Sequence, residues 1–94
     1  MDAVGAVIAH EELSAADPAF TLSYLAHSML FVNNLAVNGS HEQKLKYLPK
    51  ACSGEFVCGM GMSEPAVGTD VLNLTTTARA NDDGSWTLNG AKMW

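Results

Sequence analysis

Apolar residues recur at helical spacing through the first half of the chain and fall into short runs through the second. Val4, Val7 and Ile8 form one stripe, followed by Glu11 and Glu12, which predicts a helix ending near Ala15-Ala16-Asp17. Pro18 suits the first turn of the next helix, where its missing N–H has no intrahelical partner to lose and Asp17 can cap. From Phe20 to Val37 the apolar rows double, with Leu22, Leu25, Met29, Val32 and Ala36 in one and Phe20, Tyr24, Phe31 and Leu35 in the other. A helix apolar over most of its circumference is expected to be buried. Asn38-Gly39 stops it, and Ser40-His41-Glu42-Gln43 has the form of a capping box opening a third helix. Pro49 is expected to restart or kink that helix before Gly54 ends it.

After Gly54 helix formers give way to strand and turn residues. Phe56 to Met62 is a short apolar run that reads as a buried strand, in which Gly59 and Gly61 would let another backbone or a ligand approach closely. Leu74 to Ala80 alternates as a strand with one wetter face, Asp82-Asp83-Gly84-Ser85 is a turn, and Trp86-Thr87-Leu88 is a strand. Asn89-Gly90 suits a two-residue type I′ hairpin. The predicted class is α+β: residues 1–54 from a helical bundle, residues 55–94 the start of an antiparallel β-barrel or sandwich, with the boundary at Gly54-Glu55.

Composition narrows the function. A net charge of -5 with only five Lys and Arg among 94 residues supplies no basic stripe for a phosphodiester backbone, which argues against nucleic-acid binding. The stretch from Pro18 to Ser40 carries no Asp, Glu, Lys or Arg, which raises a membrane span. Thr21, Ser23, His27, Ser28, Asn33 and Asn34 would need partners in hydrocarbon, so the central helix of a soluble bundle is the better reading. Cys52 and Cys58 form neither a disulfide framework nor a CxxC pair, and the N-terminus has no signal-peptide pattern, so a reducing compartment is expected.

The chemistry concentrates after Met62. Backbone N–H groups, the hydroxyls of Ser63 and Thr69, and small residues within a short span offer hydrogen bonds to a neutral heteroaromatic edge rather than a metal shell. The plainer reading of the same residues is two turns, Ser63-Glu64-Pro65 and Thr69-Asp70. Two signatures in order decide between them: Met62-Ser63-Glu64-Pro65-Ala66-Val67-Gly68-Thr69-Asp70, then Leu88-Asn89-Gly90-Ala91-Lys92-Met93-Trp94. With Leu22-Ser23-Tyr24-Leu25-Ala26-His27-Ser28, Gln43-Lys44-Leu45-Lys46-Tyr47-Leu48-Pro49-Lys50 and Ser53-Gly54-Glu55, they resemble the acyl-CoA dehydrogenase family, nearest its isovaleryl-CoA dehydrogenase branch and bacterial relatives.

The resemblance implies an N-terminal α domain and a middle β domain in a longer chain, with FAD against the latter. It places Met60 and Met62 beside the isoalloxazine ring and Ser63 at its pyrimidine edge. Gly68 and Thr69 would reach the FAD pyrophosphate and the acyl-CoA substrate, with Thr69 standing where Ser is more usual, and Trp94 would pack beside the flavin. Glu64 and Asp70 are read as structural carboxylates of the loop, His27 as a hydrogen-bonded core histidine, and His10 and His41 as lying near helix ends without metal-ligand spacing. Lys44, Lys46 and Lys50 read as a solvated helix face.

No catalytic or metal-binding residue is expected in these residues, because in the family the base lies in a later helical domain. The resemblance further implies electron-transfer flavoprotein as electron acceptor, a homotetramer, and a place in fatty acid or branched-chain amino acid catabolism. The compartment would be the cytoplasm of a bacterium or the mitochondrial matrix of a eukaryote. Alternatives are an acyl-CoA oxidase with the same architecture, or a non-enzymatic helical interaction or membrane module built on the Phe20–Val37 helix.

Overall fold

The computed structural model describes residues 2–94, which form two compact units divided between Met60 and Gly61. In the first, α1 (Ala3–Ala16) opens on Asp2, whose carboxylate accepts from the Gly5 N–H at 2.8 Å. Asp17 both closes α1, through its N–H to the Leu13 carbonyl at 2.9 Å, and caps α2 (Pro18–Leu25). Its carboxylate accepts from the N–H groups of Ala19 and Phe20 at 2.9 and 3.0 Å, two donors that a helix start leaves orphaned.

α2 passes without a break into a π-helical stretch, Ala26–Asn33, and then into α3 (Asn34–Asn38), the backbone staying right-handed helical at both joints. The helix expected over Phe20–Val37 is therefore present, with a wider hydrogen-bond register in its middle. Its expected burial is not: Thr21 is its one buried residue, while Leu22 is 70% exposed and Val37 68%. The neighbouring helices in this unit cover only part of its circumference. Gly39 ends the rod at φ -71, and it is needed for space rather than for a left-handed turn, since a Cβ there would lie 2.6 Å from the Leu35 carbonyl oxygen.

α4 (His41–Cys52) starts on the expected capping box, the Ser40 hydroxyl accepting from the Gln43 N–H at 3.2 Å and the Gln43 side chain from the Ser40 N–H at 2.9 Å. Pro49 does not restart it. The helix runs through to Cys52 with Pro49 inside it, forgoing the bond that the missing N–H would have made. Gly54, at φ +81, then turns the chain so that the Phe56 N–H reaches the Lys50 carbonyl at 3.0 Å.

In the second unit a bridge between Glu64 and Val67 closes a tight turn, with bonds of 2.8 and 3.1 Å, and a 3₁₀ turn spans Val71–Asn73. β1 (Thr77–Ala80) pairs antiparallel with β2 (Trp86–Asn89), from Thr77 opposite Asn89 to Ala80 opposite Trp86. The turn over residues 82–85 is as expected: Gly84 adopts φ +81, and Asp83 accepts from the N–H and hydroxyl of Ser85. The sheet has two strands among the described residues, an α+β arrangement without a closed barrel.

Two β expectations are corrected. The apolar run Phe56–Met62 joins no ladder, since no neighbouring strand of the described residues pairs with it. Asn89-Gly90 makes no hairpin; the chain continues until the Met93 N–H meets the Ser63 carbonyl at 2.8 Å. Gly90, at φ +149, is required because a Cβ there would come within 2.7 Å of the Thr76 Cα. At Gly59 and Gly61, where close approach was expected, a Cβ would meet nothing within 4 Å.

Candidate functional site

The second unit is organised around Glu64, whose side chain is only 2% exposed. One carboxylate oxygen accepts from the Thr75 N–H and hydroxyl, each at 2.7 Å. The other accepts from the Thr76 N–H at 3.0 Å and the Lys92 ammonium at 3.0 Å. Hydrogen bonding from Thr76 and Thr75, outweighing desolvation and aided by Lys92, holds this carboxyl well below the usual carboxylate range. It stays ionised near neutrality and has no lone pair to spare for a substrate proton. Sequence reading placed its partners within its own loop; they lie on segments 11, 12 and 28 residues away.

Lys92 makes a second bond, to the Met62 carbonyl at 3.0 Å. With the Met93 N–H on the Ser63 carbonyl, three contacts therefore tie residues 62–64 to residues 92–93. The two signature stretches lie against each other. Ser63 is half-buried and its hydroxyl has no partner among the described residues. Gly68 and Thr69 lie exposed just past the Glu64–Val67 bridge, and a Cβ at Gly68 would meet open space. The Asp70 backbone carbonyl accepts from the Asn73 N–H at 3.1 Å, closing the 3₁₀ turn, and its carboxylate accepts from the Asn73 side-chain amide. Trp94 carries a fully exposed indole at φ +74. Met62 is about half-exposed at 41%.

Met60 ends the first unit, where the Asn34 amide lies 3.8 Å from its sulfur. In the same unit the His27 Nε2–H donates to the Ala51 carbonyl at 3.1 Å and its Nδ1 accepts from the Cys58 N–H at 3.1 Å, the hydrogen-bonded histidine that was expected. An accepting Nδ1 fixes the neutral Nε2–H tautomer. His10 sits within α1 rather than near its end, its Nδ1 2.6 Å from the Ala6 carbonyl. Lys50 pairs at the surface with Glu55 at 2.8 Å. No helix among the described residues is long and apolar enough to cross a membrane.

The described residues thus comprise a helical unit followed by a β unit, with an exposed indole on the latter. Residues 1–55 match the family model for the acyl-CoA dehydrogenase N-terminal domain and residues 59–94 that for the acyl-CoA dehydrogenase middle domain. The chain belongs to the acyl-CoA dehydrogenase family. It is 51% identical over 87 residues to a mitochondrial isovaleryl-CoA dehydrogenase of Solanum tuberosum, covering 93% of this chain and 21% of that protein. Over 88 residues it is 46% identical to the mitochondrial isovaleryl-CoA dehydrogenase of Pongo abelii, covering 94% of this chain and 21% of the relative. A probable acyl-CoA dehydrogenase of Bacillus subtilis is 38% identical over 95 residues, covering 100% of this chain and 16% of that protein. The chain thus spans about a fifth of the length of the curated relatives it matches.

Proposed function

We propose that these residues form the flavin-binding edge of an enzyme that dehydrogenates an acyl-CoA thioester to the trans-2-enoyl-CoA, with FAD as cofactor. The observation that carries the proposal is the Lys92 and Met93 contacts, which gather Ser63 and the segment bearing Trp94 into one place. The donor set suits FAD: unpartnered hydroxyls at Ser63 and Thr69 and an exposed aromatic face match a flat heterocycle with a hydrogen-bonding rim. Bound there, FAD would supply the two-electron acceptor for the hydrogen leaving the β carbon.

This chain's own residues hold and polarise. Ser63 would donate through its hydroxyl and N–H to the pyrimidine edge, stabilising negative charge that grows during reduction. Met60 and Met62 would flank the ring and Trp94 would cover its side. Gly68 and Thr69 would meet the pyrophosphate and the acyl-CoA, the open space at Gly68 leaving room for a ligand to approach the backbone. The α proton needs a base with a free lone pair, and Glu64, saturated by donors, is unsuited to that task. The base is assigned outside these residues.

The printed names of the relatives make isovaleryl-CoA the first substrate to test. Electron-transfer flavoprotein as acceptor, a homotetrameric assembly, and a mitochondrial matrix or bacterial cytoplasmic location accompany this reading. Mixing the full-length protein with isovaleryl-CoA anaerobically should bleach the flavin absorbance and yield the enoyl-CoA. A preparation without flavin, or flavin that no acyl-CoA bleaches, would refute the proposal. Rapid reoxidation by dioxygen alone would instead identify an oxidase.

A further inference from the structure

We propose that Lys92 is a positioning residue that fixes Ser63 from both sides, and that its pairing with Glu64 keeps the Ser63 edge electrically balanced. The inference rests on Ser63 being a flavin contact. Lys92 bonds the carbonyl of the residue before Ser63 and the carboxylate of the residue after it, each at 3.0 Å, while the Met93 N–H takes the Ser63 carbonyl itself at 2.8 Å. The carbonyls of Met62 and Ser63 and the carboxylate of Glu64 are thereby occupied, leaving the Ser63 hydroxyl and N–H for a ligand.

The pairing also matters for charge. A buried carboxylate beside a ring that gains electron density would oppose reduction, and an unpaired ammonium would favour it. Paired, they leave only the hydrogen bonds of Ser63 to act. Removing either partner should therefore move the ring's electron affinity in opposite directions, a signature that loss of local structure alone does not produce.

The test uses full-length protein loaded with FAD and reads two quantities, the FAD dissociation constant and the reduction potential of the bound flavin. Lys92→Met should weaken FAD about tenfold, the order expected for one charge-assisted contact, and lower the potential. Glu64→Gln should raise the potential, and Lys92→Arg should stay near wild type. In a Ser63→Ala background the effect of Lys92→Met on FAD affinity should largely vanish, because the residue it positions is gone. Potential shifts of one sign in Lys92→Met and Glu64→Gln, or additive losses with Ser63→Ala, would overturn the proposal. If Lys92→Met does not fold, Glu64→Gln still decides, since no rise in potential overturns it. An inert Ser63→Ala, or wild type lacking flavin, would fail the flavin reading itself, whereas an effective Ser63→Ala beside an inert Lys92→Met fails only the positioning role.

Discussion

The imidazole of His27 takes the Cys58 N–H on Nδ1 at 3.1 Å and gives its Nε2–H to the Ala51 carbonyl at 3.1 Å. One ring thus joins the π-helical stretch to the last turn of α4 and to the extended segment that follows it. That segment has no ladder to hold it, so this pair of bonds stands in for strand pairing.

His27→Phe keeps an aromatic ring and removes both bonds, leaving the Cys58 N–H unmatched while the Ala51 carbonyl keeps the Gly54 N–H at 3.2 Å. A buried unmatched group costs about 1–3 kcal/mol. The expected outcome is a lower unfolding midpoint with faster amide exchange at Cys58. Unchanged exchange there would show that the ring does not anchor the segment.

Acid should loosen the second unit before it loosens the helices. Glu64 and Asp83 both have carboxyls held below their ordinary values of 4.5 and 3.8, Glu64 chiefly by Thr76 and Thr75, Asp83 by the Ser85 hydroxyl and N–H. A group whose pKa is depressed by folding contributes its full stability above its ordinary value and loses it as pH falls toward the folded value. Stability should therefore be flat above about pH 5 and decline below it. Glu64→Gln should lower the neutral-pH plateau and flatten the acid limb, which thermal melts at stepped pH would reveal.

The glycines separate fold from ligand. Gly90→Ala sets a Cβ against Thr76 at φ +149 and should destabilise by about 1–3 kcal/mol. Gly68→Ala adds a methyl into open space, so the melting temperature should hold. If Gly68 lies against FAD, the same substitution should weaken flavin binding in the full-length protein. Thermal melts and flavin titration on the two variants check both expectations.

What the sequence made legible was what short-range chemistry encodes. Asp17, Pro18 and the Ser40–Gln43 box act on donors within a turn, so residue type and spacing suffice. The hydrogen-bond register of the π-helical stretch leaves no trace in the apolar spacing, because its side chains serve an α-helix equally well. Phe56–Met62 reads as a strand, yet a strand needs a partner that local sequence does not name. The bonds of Lys92 span 28 and 30 residues and were missed. A signal existed: a buried carboxylate demands a cation or several donors, and Lys92 stands alone among apolar and small residues.

Exposed Leu22, Val37, Leu72 and Leu88 leave the isolated 94-residue chain with much uncovered apolar surface. It should self-associate and retain no FAD. Sedimentation showing a monodisperse monomer, or stoichiometric flavin by absorbance, would contradict this.

Ser63 and Thr69 supply the most direct test of the site. Ser63→Ala removes a hydroxyl that has no partner within the described chain, while the Ser63 carbonyl keeps its bond to Met93, so the turn should survive. One lost hydrogen bond to a ligand that becomes charged should cost about 1.5–3 kcal/mol, roughly ten- to a hundredfold in flavin affinity or reduction rate. Thr69→Ser keeps the hydroxyl and should be nearly silent. Thr69→Val keeps the shape and removes the hydroxyl, and should raise the Michaelis constant for acyl-CoA or loosen FAD. Stopped-flow flavin reduction and FAD titration on the three variants would separate these effects. A wild-type Ser63→Ala beside a Glu64→Gln that abolishes reduction would reverse the division of roles, making the carboxylate the working group and the hydroxyl incidental.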